Sequence, residues 1–156
     1  MSLKDKVVVI TGAGSGMGRA YAKVYAAAGA RLALNDFDAA SLAETVALHG
    51  GKDTLSAAFD VSDREAMFGF AEDVMRAFGQ VDIVINNAGI AGGGKPVWEL
   101  SVADMDRTLR INFYGVVNGT QAFLPHMLAA GSGQLVNVSS IFGLVGAPFS
   151  GDYCAS

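Results

Sequence analysis

Four β-branched residues in a row, Val7-Val8-Val9-Ile10, run straight into Thr11-Gly12-Ala13-Gly14-Ser15-Gly16-Met17-Gly18. No other stretch of the chain narrows the possible folds so far. A continuous apolar run of this length suits a strand buried on both faces. The glycines at 12, 16 and 18 let the backbone turn tightly and approach a ligand before a helix begins. A helix starting there aims free N–H groups and a positive dipole end at the turn, which suits a phosphate. A glycine cluster on its own is often only a turn, and the G-x-x-x-G-x-G spacing differs from the usual G-x-G-x-x-G. Its position between a strand and a helix is what gives it weight.

The rest of the chain repeats the alternation. Gly18 to Ala28 reads as a helix ended by Gly29. Arg31 to Leu34 reads as a strand closing at Asn35-Asp36, and Asp38 caps a helix from Ala39 to Leu48 that stops at Gly50-Gly51. Thr54 to Phe59 is a third strand, and Ser62-Asp63-Arg64-Glu65 is a capping box for a helix that reaches Phe78 and ends at Gly79. Val81 to Ile85 is a fourth strand, leading into Asn86-Asn87-Ala88-Gly89. Ser101 opens a long helix to about Ala129, bent near its end by Pro125. Gln134 to Val138 is a fifth strand, and Ser139 to Asp152 is loop. Strand and helix in regular succession predict an α/β fold, a doubly wound parallel sheet covered by helices on both faces.

Asp36 adds chemistry to the glycine loop. A carboxylate at the end of the second strand can accept hydrogen bonds from both hydroxyls of an adenosine ribose and repels a 2′-phosphate. With Ser15 in the loop and no lysine or arginine there, NAD is expected over NADP. Composition excludes other classes. A net charge of −4 and the lack of a basic run argue against nucleic acid. The apolar run at Val7 to Ile10 is too short for a signal-peptide core or a membrane span. A single cysteine, Cys154, rules out an internal disulfide and suits a reducing cytoplasm. His49 and His126 stand alone, without metal-ligand spacing, so no metal is expected.

Thr11-Gly12-x-x-x-Gly16-x-Gly18, Asp60-Val61, Asn86-Asn87-Ala88-Gly89, Asn112, Ser140 and Tyr153-Cys154-Ala155-Ser156 stand in the order and spacing of the short-chain dehydrogenase/reductase family, which the whole chain resembles. The resemblance implies that Gly12, Ser15, Gly16, Met17 and Gly18 hold the pyrophosphate end of the cofactor. It implies that Asp60 and Val61 touch the adenine and that Asn87, Ala88 and Gly89 line the cofactor, with Asn86 more structural. Read from residues alone, Asn86 to Gly89 is only a strand-ending turn.

By the same resemblance the catalytic residues are Asn112, Ser140 and Tyr153. Hydride transfer at an alcohol carbon needs a group that takes or gives the hydroxyl proton. Tyr153 fills that role, Ser140 holds the substrate oxygen, and Asn112 holds a water in a proton relay. Ser139 competes with Ser140, and the family's serine-to-tyrosine spacing selects Ser140. Phe142 and Phe149 are expected to wall an apolar pocket, and Gly92-Gly93-Gly94 to let the facing loop move. The expected activity is NAD(H)-dependent interconversion of a secondary alcohol and its ketone, in a homodimer or homotetramer. The resemblance places a lysine directly after Ser156. Residues 1–156 are therefore expected to be one dinucleotide-binding and catalytic domain, incomplete at its C-terminus. It would have five strands and lack the family's later ones. Such a chain is expected to be inactive alone, and the alternative reading is a dinucleotide-binding fragment or scaffold without turnover.

Overall fold

The computed structural model describes residues 3–49, 51 and 53–156. Five strands form one parallel sheet in the order β3-β2-β1-β4-β5. They are β1 (Val7–Thr11), β2 (Arg31–Asp36), β3 (Thr54–Ala58), β4 (Ile83–Asn86) and β5 (Gln134–Asn137). From β1 the chain winds outward through α1 (Gly16–Ala27), β2 and α2 (Ala39–His49) to β3 at one edge. Then α3 (Arg64–Phe78) carries it back across β1 to β4, and β5 extends the sheet on that side. The winding therefore reverses between β1 and β4, and a crevice at the carboxyl ends of such strands is where an open α/β sheet binds its ligand.

The alternation of side chains along β1 sorts the core into two layers. Val7 and Val9 face Met67, Phe70 and Val74 of α3 together with Phe123 and Met127 of α5 (Gly115–Ala130). Val8 and Ile10 face Ala22 of α1 and Leu42 of α2. Every residue of β1 is buried, as the apolar run predicts. Burying one such side chain stabilises by roughly 1.5–3 kcal/mol.

Several boundaries differ from the expectation, each for a local reason. The first helix starts at Gly16 rather than Gly18, with Ser15 as its cap residue. Asp63, not Ser62, caps α3, accepting from the Ala66 N–H at 3.0 Å. Ser62 stands one residue ahead of the cap, with its N–H held by Asp60 Oδ1 at 2.9 Å. Ser101 does form its capping box, with Asp104. The helix it opens is not uniform: α4 (Val102–Leu109) passes through a π turn at Arg110–Tyr114 into α5, which carries Pro125 and closes on Gly131 at φ 65°. Within the expected loop 139–152 lie a 3₁₀ turn at Ile141–Gly143 and the start of a short helix, α6 (Gly151–Cys154). The expected stop at Gly50 lies outside the described residues.

β4 starts at Ile83, so Val81 and Asp82 precede it, and the Asp82 carboxylate is bonded to the start of β1. It accepts from Lys6 Nζ at 2.7 Å, from the Val7 N–H at 2.9 Å and from Gln80 Nε2 at 2.8 Å. Burial alone would push this carboxyl up, but those donors and the Lys6 charge outweigh it and hold the pKa below the usual carboxylate value. A carboxyl lowered in the folded state stabilises the fold above its unfolded pKa, about 3.9, and that contribution is lost as pH falls through the folded value. Asp82→Asn should therefore be less stable than wild type near neutral pH, and should lose less stability on acidification to about pH 3. Urea titrations at both pH values test this, and equal pH slopes for the two proteins would remove Asp82 from the account.

Candidate functional site

The two loops at the winding reversal are knitted to each other. Thr11 Oγ1 accepts from the N–H groups of Asn87 (3.0 Å) and Ala88 (3.1 Å), and Asn87 Nδ2 donates to the carbonyls of Thr11 (2.9 Å) and Gly12 (3.3 Å). The approach is close enough to require glycine. A Cβ on Gly12, itself at φ +65°, would stand 2.9 Å from Ala88 Cα, and one on Gly18 would stand 2.0 Å from the Gly12 carbonyl oxygen. Asn86 is buried in the sheet, donating to Asn137 Oδ1 at 2.9 Å, so it braces β4 rather than lining the crevice.

This pair of loops floors a trench of about 790 Å³. Gly12, Ser15, Gly16, Met17, Asp36, Asp60, Val61, Asn87, Ala88 and Gly89 all line it. Gly18 does not; it is buried and packs close against the Gly12 carbonyl. No side chain caps the first turn of α1, so its N–H groups remain open toward the trench. Asp36 is half-buried at the edge, with Oδ2 accepting from the Gly14 N–H at 2.7 Å and Oδ1 from the Asp38 N–H at 2.9 Å. Only glycine at 14 permits that approach, since a Cβ there would lie 2.9 Å from the carboxyl. Phe37, exposed, and Phe59 and Ile111 add apolar lining. Glycines that admit a backbone-lined phosphate, an open helix end and a carboxylate on the trench wall suit a dinucleotide.

A second cleft, of about 370 Å³, continues from the first. Met17, Asn87, Ala88, Gly89 and Ile90 line both. Asn112, Ser140 and Tyr153, from three distant parts of the chain, all line this second cleft. Ser140 Oγ accepts from the Phe142 N–H at 3.2 Å, which leaves its own proton free to donate. The Phe142 ring stands edge-on to Tyr153, centroids 6.3 Å apart at 87°. Ser139 lines the cleft as well. Phe149 is exposed, with φ +60°.

Asn112 lies in the π turn, and its amide grips the Ile90 peptide at both ends. Oδ1 accepts from the Ile90 N–H at 2.8 Å, and Nδ2 donates to the Ile90 carbonyl at 3.0 Å and to Ser156 Oγ at 2.9 Å. A π turn widens the helix by one residue per turn, and such turns recur at functional sites. Sequence patterning does not reveal it, nor the supporting parts that Asn118, Arg19 and Asp152 play. Thr11 ties the loops, and Asn118 Nδ2 donates to the carbonyl of Val61 at 3.0 Å. Arg19 joins the glycine loop to α2 through Glu44, at 2.6 Å. Asp152 sits beside Tyr153, wholly buried. Cys154 Sγ lies 3.4 Å from the Ala147 N–H. Among the described residues there is no group of three or more His, Cys, Asp or Glu placed to hold a metal, and no helix long and apolar enough to cross a membrane.

Comparison with known proteins bears on the same geometry. Residues 6–156 match the family model described as short chain dehydrogenase. The chain is 47% identical over 157 residues to "Putative oxidoreductase SadH" of Mycobacterium tuberculosis, covering 99% of this chain and 56% of that protein. Among solved structures it is similar to a short chain dehydrogenase/reductase from Burkholderia phymatum in complex with NAD. The TM-score there is 0.95 at 37% identity, over 99% of this chain and 56% of that one. It is also similar to an NAD+-bound xylitol dehydrogenase, with TM-score 0.94 at 32% identity, over 99% of this chain and 60% of that one. The chain spans about half the length of the curated relatives it matches.

Proposed function

The chain belongs to the short chain dehydrogenase family, and from that premise we propose a specific activity for the full-length protein. It is an NAD(H)-dependent oxidoreductase that interconverts a secondary alcohol and its ketone, with Tyr153 handling the proton. The observation that carries this reading is the shared wall. The trench and the cleft that holds Asn112, Ser140 and Tyr153 meet along Met17 and Asn87 to Ile90. A dinucleotide with its pyrophosphate at the open end of α1 would reach the cleft by that route. The likeness to a xylitol dehydrogenase favours an alcohol or its ketone as substrate.

The residues divide the work. NAD(H), when bound, gives or takes the hydride. Tyr153 gives its hydroxyl proton to the substrate oxygen when a ketone is reduced and takes it back when an alcohol is oxidised. Ser140 donates its free hydroxyl proton to the same oxygen and fixes its position. Asn112 braces the Ile90 side of the cleft against Ser156. The proposal includes a single catalytic domain, a homodimer or homotetramer and a cytoplasmic location.

Asp36 sets the cofactor preference in this proposal. Its carboxylate would bond the adenosine ribose hydroxyls and repel a 2′-phosphate. Arg19, just after the glycine loop, is bonded to Glu44 Oε2 and to the Ser41 carbonyl. The full-length protein should oxidise NADH with one or more of a panel of ketones and bind NADH well ahead of NADPH. Asp36→Ala should narrow the gap by weakening NADH and relieving NADPH. Titrating both cofactors against both proteins is the measurement. A wild type that prefers NADPH overturns the cofactor assignment, and inertness toward every ketone and alcohol overturns the activity.

A further inference from the structure

A carboxylate that the chemistry above does not use lies next to the tyrosine. Asp152 is 0% exposed, and a charge so buried is costly unless its environment is built for it. Its Oδ2 accepts from the Gly93 N–H at 2.8 Å, in the loop after β4. The same oxygen is 2.9 Å from Thr108 Oγ1, on α4. That hydroxyl is also 3.0 Å from the Asp104 carbonyl, and its single proton goes preferentially to the carboxylate, the stronger acceptor. Oδ1 is buried and has no hydrogen-bond partner among the described residues. Burial pushes the carboxyl up, but the Gly93 N–H, the Thr108 hydroxyl and the backbone N–H groups of Tyr153 and Asp152 bring it below the usual value.

The loop is shaped to fit this group. Gly92 has φ +84°, and a Cβ there would stand 2.5 Å from Oδ2 and 2.7 Å from Oδ1. Just beyond, Gly151 at the start of α6 packs against Val97 and Leu100, where a Cβ would lie 3.6 Å and 4.0 Å from their side chains. Three segments far apart in sequence thus converge on one carboxylate, and the next residue is Tyr153. The Gly92–Gly94 loop, expected from its glycines to be free to move, is pinned at Gly93.

We propose that Asp152 is a positioning residue that locks the turn carrying Tyr153 to the loop after β4. The tyrosine hydroxyl and the Gly89–Ala91 wall of the cleft then keep a fixed separation. The proposal rests on the reading of Tyr153 as the proton-transfer group for its effect on turnover, but the lock itself does not.

The test uses the full-length protein and its Asp152→Ala, Asp152→Asn and Thr108→Val variants. Hydrogen exchange is followed in the segments around residues 91–96 and 151–155, beside NADH affinity and steady-state turnover with a ketone. Asp152→Ala should speed exchange in both segments together and leave the β1–β4 core protected. It should lower kcat by on the order of tenfold to a hundredfold, as expected of a displaced reacting group, without changing NADH affinity. Asp152→Asn keeps an acceptor for Gly93 and Thr108 and should restore most of both readouts. Thr108→Val, which removes one donor only, should give a smaller change in the same two segments, and it serves where the alanine variant does not fold. Unchanged exchange in either segment, an asparagine variant as loose as alanine, or looser segments with full kcat would each overturn the proposal. If wild type turns over no ketone, the functional reading falls and exchange alone decides the lock.

Discussion

Tyr153→Phe in the full-length protein is expected to lower turnover by about a hundredfold to ten-thousandfold, the span typical of a general acid–base group. NADH affinity should stay the same, because the groups that line the trench do not include Tyr153. The fold should also hold. The tyrosine ring packs edge-on against Phe142 at 6.3 Å, a contact that phenylalanine reproduces, so the substitution removes the hydroxyl and little else. A fall in kcat with constant NADH affinity is the signature of an interaction made in the chemical step. Ser140→Ala provides the partner measurement. Its hydroxyl proton is the one free donor it brings to the cleft, since its oxygen already accepts from the Phe142 N–H. Its loss should lower kcat through misplacement of the substrate oxygen. Turnover of Tyr153→Phe within a few-fold of wild type would assign the proton transfer to another group and leave Tyr153 as packing.

How far the sequence reveals the molecule depends on whether a signal is local. The central strands β1 and β4 are buried on both faces, so they read as apolar runs, and the order of strands and helices along the chain predicts the layers correctly. Ser101 with Asp104, and Gly79 in the left-handed conformation, are likewise local chemistry and stand where expected. The misses are non-local, a residue or two at an element's end, or a turn without a sequence mark. Ser62 and Asp63 are equally good caps in sequence, and only the folded chain shows that Asp63 accepts from the Ala66 N–H. The π turn has no compositional mark, because an i→i+5 bond asks nothing of side-chain type. Asp152 gives no periodic signal in a stretch read as loop. Its partners Gly93 and Thr108 are 59 and 44 residues away. The crevice follows from a different rule: once the winding reverses between β1 and β4, the loops after those two strands must face each other.

The largest effect on cofactor binding should come from Gly18→Ala, although Gly18 does not line the trench and has an ordinary helical backbone. The added methyl would meet the Gly12 carbonyl oxygen at 2.0 Å and Asn87 Nδ2 at 2.9 Å. Neither can yield alone, because Asn87 Nδ2 is itself bonded to the carbonyls of Thr11 and Gly12. Relief requires the glycine loop to swing away from the start of α1, which opens the backbone cradle that the pyrophosphate would occupy. Overpacking of this kind costs about 1–3 kcal/mol. If that strain is relieved at the expense of the cradle, NADH affinity should fall by roughly tenfold to a hundredfold, since each 1.4 kcal/mol is a factor of ten. Gly16→Ala is the contrast. Nothing stands within 4 Å of the new methyl, and the expected penalty comes from its φ of +50°, about 1–2 kcal/mol of backbone strain. Gly18→Ala should therefore weaken NADH more than Gly16→Ala does, and should lower the melting temperature even without cofactor. Fluorescence titration of NADH and thermal unfolding of the apo proteins measure both. Wild-type affinity and melting temperature in Gly18→Ala would mean that the close approach of α1 to the Gly12 carbonyl does not hold the loop in place.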